Sequence, residues 1–465
     1  MEKRAFVVTG LGYGDEGKWT TTHWLCVRHK VHTVIRTGGP QAFHRVVTAD
    51  GREHVHSQFG SGTLAGAATH LSSRMVIDPD AILREGEALK YEHGIGNIFD
   101  YMTVHEDALV VTPFDAIANR LRELARGADR HGTVGIGVGE AVLGAEALEL
   151  AALRVKDIGK PYLKDKLELI RVRKAEALSE IRGALDALPE DVRTQACEEL
   201  ARLCLQGTLD WMVERSRELI SRVRVVDTGY VAEKILGRPG TVVCEGSQGV
   251  LLDRWYGFHP YTTKVRTIPQ TGFLMAECGY NGRIVSLGVL RGYHTRHGAG
   301  PFVSESAELT EKLPDSNNGT HPWQGNFRVG ALDMVVVKYA VDACGGSEAL
   351  NGLVITCMDR MAVLGAWNLC TSYTGPDGSN NFTYGRGGCI DGIVVCHGKG
   401  ADQLDRQEKL GRELRKCAPQ VTTLKIASGN HPYLIGLSQS VGDVVNVPVV
   451  AVSFGPTEAD KVVVA

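Results

Sequence analysis

No apolar run in this chain approaches the ~18 residues that a membrane-crossing helix needs, so no spanning segment is expected. No CxxC pair occurs among its eleven cysteines, and their odd, scattered placing excludes a disulfide framework and points to buried thiols in a reducing compartment. Neither sign of charge dominates: 51 Lys and Arg stand against 54 Asp and Glu, a net charge of −3. A broad basic field for nucleic acid or an anionic membrane is therefore excluded, and any polyanion must be held by a local site. Linkers, repeats and low-complexity segments are also missing. The opening MEKRAFVVTG enters a strand-like run directly, so no secretory leader is expected and the expected compartment is the cytoplasm.

What is present suits a large α/β protein. The chain has 465 residues, 43% hydrophobic and 23% charged, with 55 glycines to serve tight loops and close backbone approach. Ala5–Thr9, Val31–Ile35, Met75–Ile77 and Leu109–Val111 are short apolar runs that read as strands. Trp19–Arg28 reads as a helix, and Asp78 as the N-cap of the helix DPDAILREGEAL. From Tyr162 to Val223 apolar residues recur at helical spacing, interrupted at Pro189, which predicts two amphipathic helices. TVVCEGSQG, RIVSLGVL, LDMVVVKYAV, LNGLVITCMD and VPVVAVSFGP then each read as an apolar strand ending at Gly, Asp or Ser. The expected architecture is one α/β domain over 1–465, a large mainly parallel central sheet flanked by helices, with a helical insertion at 160–225.

The stretch GLGYGDEGKW (Gly10–Trp19) has the strand–loop–helix setting and the Gly-x4-Gly-Lys spacing of a phosphate cradle. Trp19 stands where Ser or Thr would hold Mg2+, and Asp15 and Glu16 put two carboxylates in the loop. Asp15 can coordinate Mg2+ or take a proton from a substrate, while Lys18 can neutralise a phosphate. GGPQAFH (Gly38–His44) allows close backbone approach and ends in a histidine. CEGSQGVLLD (Cys244–Asp253) offers Gln248, a donor and acceptor able to read an amide edge, with PYTT (Pro260–Thr263) close behind.

Taken in order, GYGDEGK, the GG-to-His stretch, EGSQGVLLD with GFHPYTT, TRHGAGPF (Thr295–Phe302) and SFGP resemble the adenylosuccinate synthetase family over nearly the whole chain. That resemblance implies a GTP-dependent C–N ligase and a homodimer. Asp15 would deprotonate the purine lactam and touch Mg2+, to which Phe43 could offer its carbonyl. His44 would stabilise charge as the γ-phosphate of GTP moves to the lactam oxygen. The amine of aspartate would then displace that phosphate. The nucleotide contacts implied are Gly14, Glu16, Gly17, Lys18, Arg328, Asp359, Ser453 and Gly455. The acceptor and amine contacts implied are Gln41, Thr133, Gln248, Thr263 and Asn326. Nucleic acid and membrane are not expected partners.

The departures fall on the acceptor and amine sites. Against a family loop close to GTTGRGIGPAY, the segment Gly132–Val142 places Val134 at a phosphate-binding Thr and Ile136 at an Arg, and no Arg occurs from His131 to Leu153. A 5′-phosphate is therefore expected to be held weakly, and IMP to be a poor acceptor. Gln41 and Phe43 replace the Asn and Gly of GGxNAGH. In THPWQGNFR (Thr320–Arg328), Asn326 stands at one of two aspartate-gripping arginines and Arg328 at the other. The guanine-reading Lys-x-Asp keeps Asp359 but has Cys357 for its Lys. The alternatives to a ligase are an inactive purine-nucleotide sensor and an ordinary P-loop kinase, the latter disfavoured by Trp19.

Overall fold

The computed structural model describes residues 2–315, 318–427 and 430–464. The first half carries β1 (Lys3–Gly10), α1 (Lys18–His29), β2 (Thr33–Gly38), the hairpin β3 (His44–Val47) and β4 (Glu53–His56), β5 (Ala68–Ile77) and α2 (Pro79–His93). Among the described residues eleven strands form one sheet. From one edge its order is Lys461–Val463, Val449–Ser453, Gly352–Thr356, Arg283–Arg291, β1, Gly240–Gly249, β2, β5, Met102–His105 and Arg224–Val226, with Leu109–Val110 added beside β5. Every pairing along that path is parallel except the first, which is antiparallel. The central strands are buried on both faces, as β1 is from Ala5 to Gly10, which explains their unbroken apolar runs.

Asp78 caps α2 as expected, its carboxylate accepting from the amides of Asp80 and Ala81. Two expectations are corrected. LDMVVVKYAV is not a strand but the helix Met334–Ala343, because Asp333 accepts from the amides of Val335 and Val336 and starts a helix buried nearly all round. Periodicity cannot separate a fully buried helix from a fully buried strand. The 163–222 region holds four helices rather than two: Leu163–Ser179, Arg182–Asp186, Glu190–Cys204 and Gln206–Arg222. Leu205 is extended and turns the chain between the last two, so that Leu203 and Leu209 both reach the same core.

Because the sheet is parallel, the loops after β1, β2, Gly240–Gly249, Arg283–Arg291, Gly352–Thr356 and Val449–Ser453 all leave from its carboxyl edge, where ligands of open α/β sheets bind. No helix of the described residues is long and apolar enough to cross a membrane.

Candidate active site

The loop after β1 is built around Glu16. Its Oε1 accepts from the amides of Gly12 at 3.0 Å and Gly14 at 2.8 Å, and its Oε2 lies 2.6 Å from Lys18 Nζ. Both side chains are buried, at 3% and 0% exposure. The carboxylate thus occupies an anion cradle of the loop's own making, and a nucleotide phosphate arriving there must share Lys18 with it. Gly17 closes the turn at φ 86°, where a Cβ would stand 3.1 Å from Thr356. The Thr356 hydroxyl donates to the Glu16 carbonyl at 2.7 Å, tying the loop to the end of the strand Gly352–Thr356.

Asp15, at φ 59°, turns away from this cradle to a position 2.9 Å from His297 Nε2. Burial works to raise the Asp15 carboxyl, but the hydrogen bond and charge of His297, with Arg291 and Lys18, outweigh it and hold the pKa at about 2. Asp15 is therefore an ionised acceptor at neutral pH. His297 had no role in the sequence reading, because nothing local in TRHGAGPF says which histidine meets the loop after β1. Removing His297 withdraws the largest influence favouring the carboxylate, so the Asp15 pKa should rise. The acid limb of the kcat/KM–pH profile should then move to higher pH in His297→Ala, and an unmoved limb would dissociate the pair.

His44 is 1% exposed and lies over Trp19, ring centroids 5.3 Å apart. Its Nδ1 lies 2.6 Å from Glu245 Oε1 and 3.1 Å from the Arg36 guanidinium. Glu245 also accepts from the Ser61 amide at 3.0 Å, and Arg36 stands 3.5 Å from it. Burial raises Glu245, but Arg36 and His44 outweigh it and keep its pKa at about 2. Burial first, and then Arg36, push His44 below its ordinary value. The ring is thus fixed in place, with Nε2 3.4 Å from the Ser247 carbonyl oxygen. The sequence signal for Glu245 is a charged residue within the otherwise apolar strand Gly240–Gly249.

A cavity of about 960 Å³ opens beside these groups. Gln41, Thr133, Gln248 and Thr263 all line it, as does His297, whereas Asn326 does not. Asn326 is exposed and accepts from the Thr320 hydroxyl. The Gln41 and Gln248 Oε1 atoms are buried and make no hydrogen bond, so each holds an open acceptor. Phe43 is 54% exposed, at the start of the β3–β4 hairpin. Arg328 is already engaged, by Glu305 at 2.6 Å and the Gly300 carbonyl at 3.1 Å.

The absence of arginine from 131 to 153 does not leave this cavity without cations. Lys264, next to Thr263, lines it and packs against Gly139. Among the described residues Lys264 has no hydrogen bond or ion pair, and burial, Arg254 and Arg126 together lower its pKa. A desolvated cation beside other cations marks a place short of negative charge.

Asp359 lies in the first turn of the helix Met358–Leu364, after the strand Gly352–Thr356, and burial raises its pKa. Ser453 and Gly455 follow the adjacent parallel strand, the Ser453 hydroxyl donating to the Gly455 carbonyl at 2.9 Å. The edge strand contributes a residue the sequence reading missed: Lys461 Nζ reaches the hydroxyls of Thr20 at 2.9 Å and Ser453 at 3.4 Å. Burial brings Lys461 down to about 8, with Cys357 the largest opposing influence, ahead of Asp460 and Glu458. A lysine thus stands close to Cys357 although the 357 position itself lacks one.

A glycine-rich phosphate loop between strand and helix, an ionised Asp paired with a histidine that lines a roomy cavity, and Asp359 two strands away define a nucleotide-dependent α/β enzyme. The chain belongs to the adenylosuccinate synthetase family, whose model matches residues 7–386. Members are GTP-dependent ligases that form a C–N bond, and this chain is an enzyme of that class. An adenylosuccinate synthetase of Clostridium novyi is 30% identical over 374 residues, covering 79% of this chain and 81% of its own. One from Fusobacterium nucleatum is 27% identical over 468 residues, 98% of each. The fold matches fully ligated adenylosuccinate synthetase from Plasmodium falciparum with a TM-score of 0.74, 17% identity and full coverage of both chains. It also matches a cyanophage S-2L succinoaminodeoxyadenylate synthetase bound to dGMP and dATP, with a TM-score of 0.58, 17% identity, and coverage of 100% of this chain and 95% of that one.

Proposed function

We propose that this enzyme uses GTP to phosphorylate the lactam oxygen of a purine nucleotide and then joins the activated carbon to the amine of aspartate. The observation that carries the reading is Asp15: an ionised carboxylate, fixed by His297 at the cavity and three residues from the phosphate-loop lysine. A carbonyl oxygen is a poor leaving group and a phosphate a good one. Asp15 takes the lactam N–H proton, which makes the ring oxygen nucleophilic, and the γ-phosphoryl group passes to it. His44, held by Glu245, faces the developing charge, and Lys18 draws charge from the leaving diphosphate. The aspartate nitrogen then attacks the ring carbon and phosphate leaves with the former lactam oxygen.

The Asp15 carboxylate, with a backbone carbonyl such as that of Phe43, would offer Mg2+ the oxygen ligands it takes, the ion keeping several waters and substrate phosphates in its shell. When bound it supplies charge neutralisation at the phosphates. Asp359, Ser453, Gly455 and Lys461 form the guanine end in this reading. A homodimer is part of the proposal, as in the family resemblance.

The acceptor's phosphate is placed at Lys264, Thr263, Thr133 and the amides of the Gly132–Gly139 loop. In this reading Lys264 supplies a charge that Ile136 does not, in place of the weak phosphate binding that Val134 and Ile136 alone imply. A charge-assisted contact is worth about 1.5–3 kcal/mol. Lys264→Ala should therefore raise the KM for IMP by roughly 10- to 150-fold at nearly constant kcat. An unchanged KM would place the phosphate elsewhere. Absence of GDP release from wild type with IMP, related lactam nucleotides and aspartate would favour a nucleotide sensor instead.

A further inference from the structure

The hairpin that delivers His44 carries a second histidine cluster on its other strand. His44 on β3 pairs directly with His56 on β4. β4 reads EHVH, and its alternation buries His54 and His56 together, at 7% and 0% exposure, against Glu85 of α2, at 8%. One ligating atom from each of the three lies within 4.8 Å of the others. His54 Nε2 and both ring nitrogens of His56 are buried and make no hydrogen bond. Three unpaired imidazole nitrogens in one dry place are costly unless something accepts them.

The carboxylate they face is already aimed. Glu85 Oε2 accepts from the amides of Ser57 at 3.1 Å and Gln58 at 2.8 Å and from the Ser57 hydroxyl at 3.0 Å, and Oε1 accepts from the Phe59 amide at 3.1 Å. That leaves acceptor capacity on Oε1, which lies 3.5 Å from His56 Nδ1 and 3.9 Å from His54 Nε2. Zinc bonds of ~2.0–2.1 Å in a tetrahedron separate neighbouring ligands by about 3.3–3.4 Å, so a small inward movement of the rings would close such a shell. Backbone donors holding the carboxylate are the outer-shell support that metal ligands use.

We propose that His54 Nε2, His56 Nδ1 and Glu85 Oε1 bind a structural zinc-class divalent ion. Two nitrogens and one carboxylate suit zinc rather than Mg2+. His93 groups with His54 and Glu92 rather than with His56 and Glu85, its ring 5.5 Å from that of His54, so a water completes the four-coordinate shell. The solvent-facing group of His54, His93 and Glu92, the last 62% exposed, gives the ion its way in. The ion pins β4 to α2. Through the Ser57–Phe59 segment, whose carbonyls accept from Arg36, it fixes the frame around His44. It does not touch substrate.

The test uses untagged protein, stripped by chelator and then titrated with Zn2+ or Co2+. One zinc per chain is expected by elemental mass spectrometry, together with visible d–d bands of four-coordinate cobalt and a higher Tm with Zn2+ than with Mg2+. His54→Gln and, separately, His56→Gln should remain folded by circular dichroism yet bind Zn2+ at least tenfold more weakly. Folded wild-type protein that takes up no stoichiometric zinc and shows no cobalt bands would overturn the proposal, as would His54→Gln retaining both.

Discussion

Asp15→Asn is expected to fold as the wild type does and to turn over at least ~100-fold more slowly, the usual scale for losing a general base. The substitution is isosteric, the side chain is partly exposed rather than in the core, and an amide oxygen can still accept from His297. What disappears is the ability to take a proton. Acceptor-dependent GDP release, measured beside a thermal melt, separates the chemistry from the fold. Near-normal release from a normally folded variant would remove Asp15 from the reaction.

The second large effect concerns the donor. In Asp359→Ala the KM for GTP should rise roughly 10- to 150-fold, corresponding to the loss of about 1.5–3 kcal/mol from hydrogen bonds to a charged group. Whatever residual turnover ATP supports should barely change. A carboxylate accepts two N–H groups from guanine, whereas adenine offers only one amino group beside a bare ring nitrogen. Asp359 is partly buried, with Ser453 and Lys461 on the adjoining strands. Lys461 stands near Cys357, so a cation remains at this end without a lysine at 357. Comparable use of ATP and GTP by the wild type would show instead that the Cys357 end of the pocket no longer selects guanine.

Much of this site was legible because its parts follow strand ends, where sequence pattern and fold coincide. Asp15, Lys18, His44 and Gln248 stand in or just after loops whose glycines and flanking apolar runs mark the carboxyl edge of a parallel sheet. Their partners were not legible. His297 meets Asp15 across 282 residues of sequence, Glu245 meets His44 across 201, and Lys461 reaches Thr20 across 441. No local pattern encodes such pairings; only the strand order does. The same limit explains Lys264. Counting arginines along 131–153 found none, while the charge came from a loop more than a hundred residues later. LDMVVVKYAV failed for another reason: a helix buried nearly all round has no polar stripe to give its period away, and the capping Asp333 was its one local sign.

The central claim is that the lactam oxygen itself receives the phosphoryl group. IMP labelled with 18O at C6, incubated with enzyme, GTP and aspartate, tests it directly through the mass of the released phosphate. Transfer to the lactam oxygen predicts one 18O in every phosphate formed, with none left on the purine product. Unlabelled phosphate, or phosphate released at the same rate without acceptor, would mean that water receives the γ-phosphoryl group, and would contradict the account.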